Sequence, residues 1–181
     1  MDHRRELVER SIPFLDEVRN RTAGKELEGW LNDTHGPDGE LYGHLARLIT
    51  LGVEEGWAAN VEVDGPNYRR SLIAPPSRET LYFSITAVYM NSEAPYRGQY
   101  HAHPYGEINL VAPVDRGARL AGPHGWQGPG WTAPGPGSHH YPEVRGGALI
   151  ALFYLPAGRI SYDITEPPHG EGGMPEPGLA R

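Results

Sequence analysis

The sequence Tyr100-His101-Ala102-His103-Pro104-Tyr105-Gly106-Glu107-Ile108-Asn109 carries two histidines, a glutamate and an asparagine at odd-numbered positions. Alternate residues of an extended strand point to the same side of a sheet. His101, His103, Glu107 and Asn109 therefore share one face if the backbone stays roughly extended through the intervening Pro and Gly. Two imidazoles and a carboxylate that converge in this way suit a divalent metal ion. A further ligand is expected from elsewhere, and His139-His140 stands downstream.

The composition limits the class of protein. The chain has 181 residues, enough for one domain, with 24 Gly and 18 Pro, which is typical of short strands joined by tight turns. A net charge of −7 argues against binding to nucleic acid or anionic membranes. The absence of cysteine excludes disulfides, thiolate metal sites and cysteine nucleophiles. A charged N-terminus and the lack of a long apolar run predict a cytoplasmic protein without a membrane span.

Three parts are expected along the chain: a helical segment at residues 1–56, a β-barrel at residues 57–165 and a Pro/Gly-rich tail at residues 166–181. Apolar residues at helical spacing predict helices at about residues 7–18, 22–31 and from 40 to near Gly52 or Gly56. Pro13 is expected to kink or restart the first helix. Alternating and β-branched runs predict strands at about residues 59–64, 68–73, 81–90, 108–114, 148–155 and 159–164. Many short strands without intervening helices favour a sandwich or closed barrel.

The pattern His101-x-His103-x-x-x-Glu107 resembles the first signature of the cupin superfamily, whose fold is a double-stranded β-helix or jelly roll. Gly137-Ser138-His139-His140-Tyr141 is similar to the second signature, a Gly/Pro turn followed by one histidine. The resemblance implies a mainly β cupin barrel behind an N-terminal helical segment. It also implies a divalent metal held by His101, His103, Glu107 and His140, with His139 as the alternative fourth ligand. Iron, manganese, nickel, cobalt and zinc all accept these ligands, so the metal stays open.

A wider stretch, from His101 to Tyr162, resembles the 4-hydroxylaminobenzoate lyase family. The segments that carry this resemblance are Gly106-Glu107-Ile108-Asn109-Leu110-Val111, Gly125-Trp126-Gln127-Gly128, Gly130-Trp131-Thr132 and the run from Gly146 to Arg159. The family converts 4-hydroxylaminobenzoate to 3,4-dihydroxybenzoate with release of ammonia, as part of nitroaromatic degradation. The resemblance therefore implies a carbon–nitrogen lyase that acts on a small aromatic carboxylate.

Such a reaction needs groups that move protons and groups that hold the substrate. Glu107, His139 and Tyr105 are the candidates for proton transfer. Asn109, on the ligand face, and Trp131, one of several aromatic residues near the two signatures, are candidates for substrate binding. A guanidinium can pair with the substrate carboxylate, and we name Arg145 for this role, although the sequence does not choose among Arg145 and the neighbouring Arg97, Arg116 and Arg119.

Two other classes of function stay open at this point. Another metal-dependent cupin enzyme, such as a dioxygenase or a lyase of a small carboxylate, would share the metal site but need a different pocket. A non-catalytic cupin would bind a ligand without turnover. The apolar helical segment and the strand edges favour a homo-oligomer such as a dimer.

Overall fold

The structure is a computed structural model that describes residues 2–166. Three helices come first: α1 (His3–Val18), α2 (Lys25–Thr34) and α3 (Glu40–Glu54). Helix α1 begins where the Asp2 carboxylate accepts a hydrogen bond from the Arg5 backbone N–H at 3.0 Å. It continues through Pro13, because Phe14, Leu15 and Val18 beyond the proline are buried and their packing offsets the lost hydrogen bond. The predicted tail lies outside the described residues, apart from Glu166.

Twelve strands follow the helices, and every strand pair is antiparallel. The strands are β1 (Val61–Glu62), β2 (Tyr68–Ala74), β3 (Phe83–Ser92), β4 (Tyr96–Arg97), β5 (His101–His103), β6 (Ile108–Pro113), β7 (Arg119–Gly122), β8 (Gly125–Gln127), β9 (Gly130–Thr132), β10 (Ser138–His140), β11 (Glu143–Arg145) and β12 (Gly147–Pro156). The strand predicted at residues 159–164 is wrong, since only Ser161 forms an isolated bridge, to Ala102.

The strands form a six-stranded sheet with the order β1-β2-β3-β12-β6-β9, a four-stranded sheet with the order β4-β11-β7-β8, and the pair β10-β5. The prediction of a mainly β, cupin-type fold with helices at the N-terminus is confirmed. Within residues 2–166, no helix combines the length and apolarity needed to cross a bilayer.

The two faces of the six-stranded sheet pack against different parts of the protein. One face packs against the three helices, where Leu110, Leu152 and Tyr154 join Leu15 and Leu45 in a continuous apolar core. Alternate residues of the same strands point to the opposite face, where a second apolar cluster lies. This second face forms one wall of the cavity described below.

Polar contacts attach the helices to the sheet at specific points. Tyr42 donates its hydroxyl hydrogen to the Val111 carbonyl at 2.6 Å, and the Ser11 and Tyr154 hydroxyls lie 2.9 Å apart. The Asn32 side chain bonds both backbone polar groups of Trp131. These bonds lie in or beside the apolar core, so they fix the position of the helices relative to the barrel.

Candidate active site

Three histidines meet at the pairing of β5 with β10. His101 lies directly opposite His140 in this pair, and Ser138 lies opposite His103. Since alternate residues of a strand share a face, all three imidazoles point to one side. The Nε2 atom of His101 lies 2.9 Å from that of His103 and 3.2 Å from that of His140. These three buried side chains form a group that could hold a metal ion, with their donor atoms within 4.8 Å of one another.

In each of these histidines, Nδ1 points away from the other two rings and Nε2 points toward them. The partners of the Nδ1 atoms leave Nε2 available to bind a metal ion. His101 Nδ1 lies 2.9 Å from the Gln99 carbonyl, which can only accept, so this nitrogen carries the proton. His103 Nδ1 lies 3.0 Å from the Ser138 hydroxyl. His140 Nδ1 is buried without a hydrogen-bond partner among the described residues. An Nδ1–H bonded to a carbonyl and an Nε2 lone pair aimed at a common point are typical of metal-binding histidines, so the donor set fits a metal ion.

Burial keeps the His101 and His140 imidazoles neutral, as metal ligands must be. Burial, followed by the proximity of His103, lowers the pKa of His101 to about 4. Burial, followed by the proximity of His101, lowers the pKa of His140 well below its ordinary value. Both rings are therefore unprotonated at neutral pH.

Glu107 reaches the histidines by a route that strand alternation did not predict. Strand β5 ends at His103, and the backbone turns before β6 begins at Ile108. The assumption of an extended backbone through this stretch is therefore wrong. Gly106 adopts a left-handed conformation with φ of +81°, and a Cβ there would lie 2.7 Å from the Ala23 side chain. The turn nevertheless returns Glu107 to the same side, with Oε2 3.3 Å from His103 Nε2.

The Glu107 carboxylate is held and ionised inside the protein. Its Oε1 accepts a hydrogen bond from Asn109 Nδ2 at 2.5 Å, and the same amide nitrogen lies 3.1 Å from Thr132 Oγ1. Burial would raise the pKa of Glu107, but attraction to His103 and the hydrogen bonds outweigh burial, and the net pKa is lowered. Glu107 and Asn109 are thus brought together with the histidines, although the three-histidine group does not include Glu107.

A small, partly open cavity lies beside this group, and residues of both larger sheets line it. Its walls are largely apolar and include Val88, Met90, Leu120 and Phe153. Its polar lining residues are Tyr68, Arg70, His101, Glu107, Asn109, Thr132, His140 and Tyr162. An apolar space with a small number of converging polar groups is the usual form of a small-molecule site.

Two of the residues predicted to transfer protons do not lie in this cavity. His139 has the opposite parity to His140 on β10, so its ring turns away and Nδ1 is hydrogen-bonded to the Tyr100 hydroxyl. Tyr105 occupies the turn between β5 and β6, where its side chain is 55% exposed. It lines an open groove together with the loop after α1 and with Glu107, which also borders the cavity. Neither side chain is among those that line the cavity beside the histidine group.

Two of the residues predicted to bind substrate also lie elsewhere. Trp131 is fully buried in the core between helices and sheet, with its ring 5.0 Å from that of Phe14 and its Nε1–H donated to the His35 carbonyl at 2.7 Å. Arg145 is exposed at the end of β11, and its guanidinium stacks over Trp126 at 4.2 Å. Neither side chain lines the cavity, so neither position fits a contact with a bound substrate.

Four polar cavity residues were missed by the sequence reasoning: Tyr68, Arg70, Thr132 and Tyr162. Arg70 belongs to β2, whose pairing with β3 sets Tyr68 opposite Met90 and Arg70 opposite Val88. All four of these side chains line the cavity. The pattern Tyr68-x-Arg70 on a predicted strand was the available signal, because residues of equal parity share a face. Tyr162 follows the last strand, in a segment without regular structure, and had no such signal.

Comparison with known proteins gives a consistent result. The family model described as PnbB, 4-hydroxylaminobenzoate lyase, matches residues 9–162. A 4-hydroxylaminobenzoate lyase from Nocardioides sp. (strain LMS-CY) is 68% identical over 162 residues, which cover 90% of this chain and 96% of that protein. A protein of the same name from Pseudomonas putida is 58% identical over 172 residues, covering 91% of this chain and 98% of that protein.

Solved structures with a similar shape are more distant in sequence. One is a chain from the crystal structures of the DMSP lyases RdDddP and RnDddQII. Its TM-score is 0.40 and its identity 15%, and the match covers 88% of this chain and 93% of that chain. Another is an oxalate oxidase in complex with the substrate analogue glycolate, with a TM-score of 0.34, 13% identity, and coverage of 56% and 57%.

Proposed function

Since this chain belongs to the 4-hydroxylaminobenzoate lyase family, we propose that it converts 4-hydroxylaminobenzoate into 3,4-dihydroxybenzoate and ammonia at a divalent metal site. The observation that carries the proposal is the convergence of His101, His103 and His140 at one end of an apolar cavity. We assign the metal to these three imidazoles. When bound, the ion would supply Lewis acidity, which stabilises negative charge that develops on oxygen.

The proposed reaction consumes one water and is redox-neutral. The N–O bond breaks with its electron pair leaving on oxygen, and the electron-poor ring then takes up water at the carbon beside the nitrogen-bearing carbon. A second water adds at the nitrogen-bearing carbon, and the C–N bond breaks to release ammonia. The nitrogen is reduced and the ring is oxidised by the same amount, so no external oxidant or reductant is needed.

Each water that attacks the ring must lose a proton, and the leaving groups must gain one. Among the three groups predicted for this work, Glu107 is the one that lines the cavity. Its lowered pKa keeps it ionised at neutral pH, as a base must be. The Asn109 amide fixes Oε1, while Oε2 faces the histidine group. We assign proton transfer to Glu107, oriented by Asn109.

The cavity walls complement this assignment. Apolar side chains such as Val88, Met90 and Phe153 suit a benzene ring and leave little competing water beside it. An electron-poor ring intermediate would react with any free nucleophile, so a mostly apolar enclosure also limits side reactions. The residues around the ring therefore bind and shield it, while Glu107 and the histidine group act at its nitrogen-bearing end.

The test is an anaerobic assay of the purified protein with 4-hydroxylaminobenzoate, in which ammonia and 3,4-dihydroxybenzoate are measured together. We expect equal amounts of both products, with bound metal found by elemental analysis. His101→Ala should lose the metal and turnover, whereas His124→Ala should keep both, because His124 is a surface residue paired with Glu28. Full activity of a metal-free His101→Ala variant would contradict the proposal. Oxygen uptake with a catechol would instead indicate a dioxygenase, and binding without turnover a non-catalytic cupin.

A further inference from the structure

The cavity contains a cationic side chain at a distance from the histidine group. Arg70 extends from β2 into the cavity, and it is the only arginine or lysine among the described residues that line it. Its strand neighbours of equal parity face the same way, and its partner across the sheet is Val88, a wall residue. Arg70 is half-buried, and its side chain belongs to the lining of the cavity rather than to the outer surface alone.

Arg70 has a neutral partner and no carboxylate partner within residues 2–166. Its Nη1 donates a hydrogen bond to the Tyr162 hydroxyl, and its Cζ lies 4.8 Å from the centre of that ring. A tyrosine phenol is uncharged at neutral pH, so Tyr162 does not neutralise the guanidinium. A partly buried guanidinium without a counter-ion is incompletely compensated and favours binding of an anion.

The spacing between Arg70 and the histidine group is defined by Tyr162. The centre of the Tyr162 ring lies 4.8 Å from Arg70 Cζ and 5.8 Å from the centre of the His101 ring. One six-membered ring therefore touches both the cation and the candidate metal site. Because one aromatic side chain lies near both, we infer that a substrate built on a single benzene ring, with its functional groups at opposite ends, can reach both.

We propose that Arg70 binds the carboxylate of the substrate and makes the site selective for benzoates that carry the reacting nitrogen in the para position. This inference rests on the proposed function for the identity of the reacting group. It replaces Arg145, whose guanidinium is outside the cavity. Bidentate pairing through the guanidinium would orient the ring with its nitrogen toward the histidine group.

The experiment compares the wild type with Arg70→Met and Arg70→Lys on two substrates, 4-hydroxylaminobenzoate and N-phenylhydroxylamine, which lacks the carboxylate. The measured quantity is the ratio of the two kcat/KM values. We expect Arg70→Met to reduce this ratio by roughly 10- to 100-fold, the range for a lost hydrogen bond to a charged group. Arg70→Lys should restore part of the preference, because it keeps the charge but not the planar pair of donors.

Matched variants separate this role from a structural one. Arg69→Met removes the same charge from the adjacent residue, whose guanidinium stacks over Tyr89 on the helix-facing side of the sheet; it should leave the ratio unchanged. Tyr162→Phe removes the hydrogen-bond partner of Arg70; it should slow turnover of both substrates equally and leave the ratio unchanged. An unchanged ratio in Arg70→Met, or the loss of preference in Arg145→Met instead, would overturn the assignment.

A binding measurement distinguishes failure of this inference from failure of the proposed function. Titration calorimetry with 4-aminobenzoate and with aniline needs no turnover. If the protein shows no lyase activity but binds 4-aminobenzoate over aniline in an Arg70-dependent manner, the proposed reaction is wrong and the carboxylate site stands. If Arg70→Met binds 4-aminobenzoate as the wild type does, or the wild type binds neither compound, the carboxylate site is wrong.

Discussion

Replacing Asn32 by alanine should loosen the attachment of helix α2 to the barrel. The Asn32 side chain accepts a hydrogen bond from the Trp131 backbone N–H and donates one to the Trp131 carbonyl, both at 2.9 Å. Trp131 is fully buried, so no water replaces these bonds when the amide is removed. Each lost bond costs about 1 kcal/mol, and a buried group left without a partner costs more. We therefore expect a loss of roughly 2–3 kcal/mol in the free energy of unfolding.

The assay is urea unfolding followed by tryptophan fluorescence, with two further variants. Asn60→Ala is the matched control, because Asn60 makes one exposed hydrogen bond, to the Gly56 carbonyl at 3.0 Å, and should cost less than about 0.5 kcal/mol. Asn32→Asp keeps the acceptor for the Trp131 N–H but sets a negative charge against the Trp131 carbonyl, so it should be destabilised as well. If Asn32→Ala is no less stable than Asn60→Ala, the side chain does not hold the helix to the barrel.

Three further predictions concern the histidine group. Ser138→Ala removes the hydroxyl 3.0 Å from His103 Nδ1 and should weaken metal affinity about 10- to 100-fold, measured by competition with a chelator; unchanged affinity would exclude an orienting role. His140→Ala should abolish turnover, whereas His139→Ala should keep it within a few-fold, since the His139 ring faces Tyr100; the reverse result in a steady-state assay would exchange their roles. The third prediction concerns protein from which a chelator has removed any metal. Folding lowers the pKa of His101 from 6.5 to about 4, so between these pH values the unfolded chain binds a proton that the folded protein does not. Stability should thus be complete above pH 6.5 and fall toward pH 4 by on the order of 3 kcal/mol, and His101→Gln should show a shallower fall in urea unfolding at these pH values.

The fold class could be predicted because long strands carry their own signal. The apolar and β-branched runs of β3 and β12 and the turns between short strands favour an antiparallel barrel. The helices were predicted from apolar spacing, although α2 runs from Lys25 to Thr34, later than expected. What the spacing did not show was that α1 passes through Pro13, because that outcome depends on the packing of residues beyond the proline.

The site was only partly accessible from sequence. Strand parity correctly describes the relation between His101 and His103, but the left-handed Gly106 interrupts the strand before Glu107. Proximity in sequence to the motifs was a poor guide for Trp131 and Arg145, because a residue next to a signature can face the other side of the sheet. Arg70 lies far from both motifs in sequence, and strand pairing with β3 brings it to the cavity.

The pairing of β5 with β10 has a consequence for how this protein can change over evolutionary time. The spacing of His101 and His140 is set by a backbone ladder between two short strands, and residues 104–137 form the excursion that connects them. Leu120, Thr132 and Pro134 of the cavity wall all belong to this excursion. Mutations there can reshape the pocket while the imidazoles keep their spacing. We therefore expect ligand preference and the spacing of the histidines to be separable traits, and a library confined to the excursion, with Glu107 and Asn109 kept, is a rational starting point for altering substrate range.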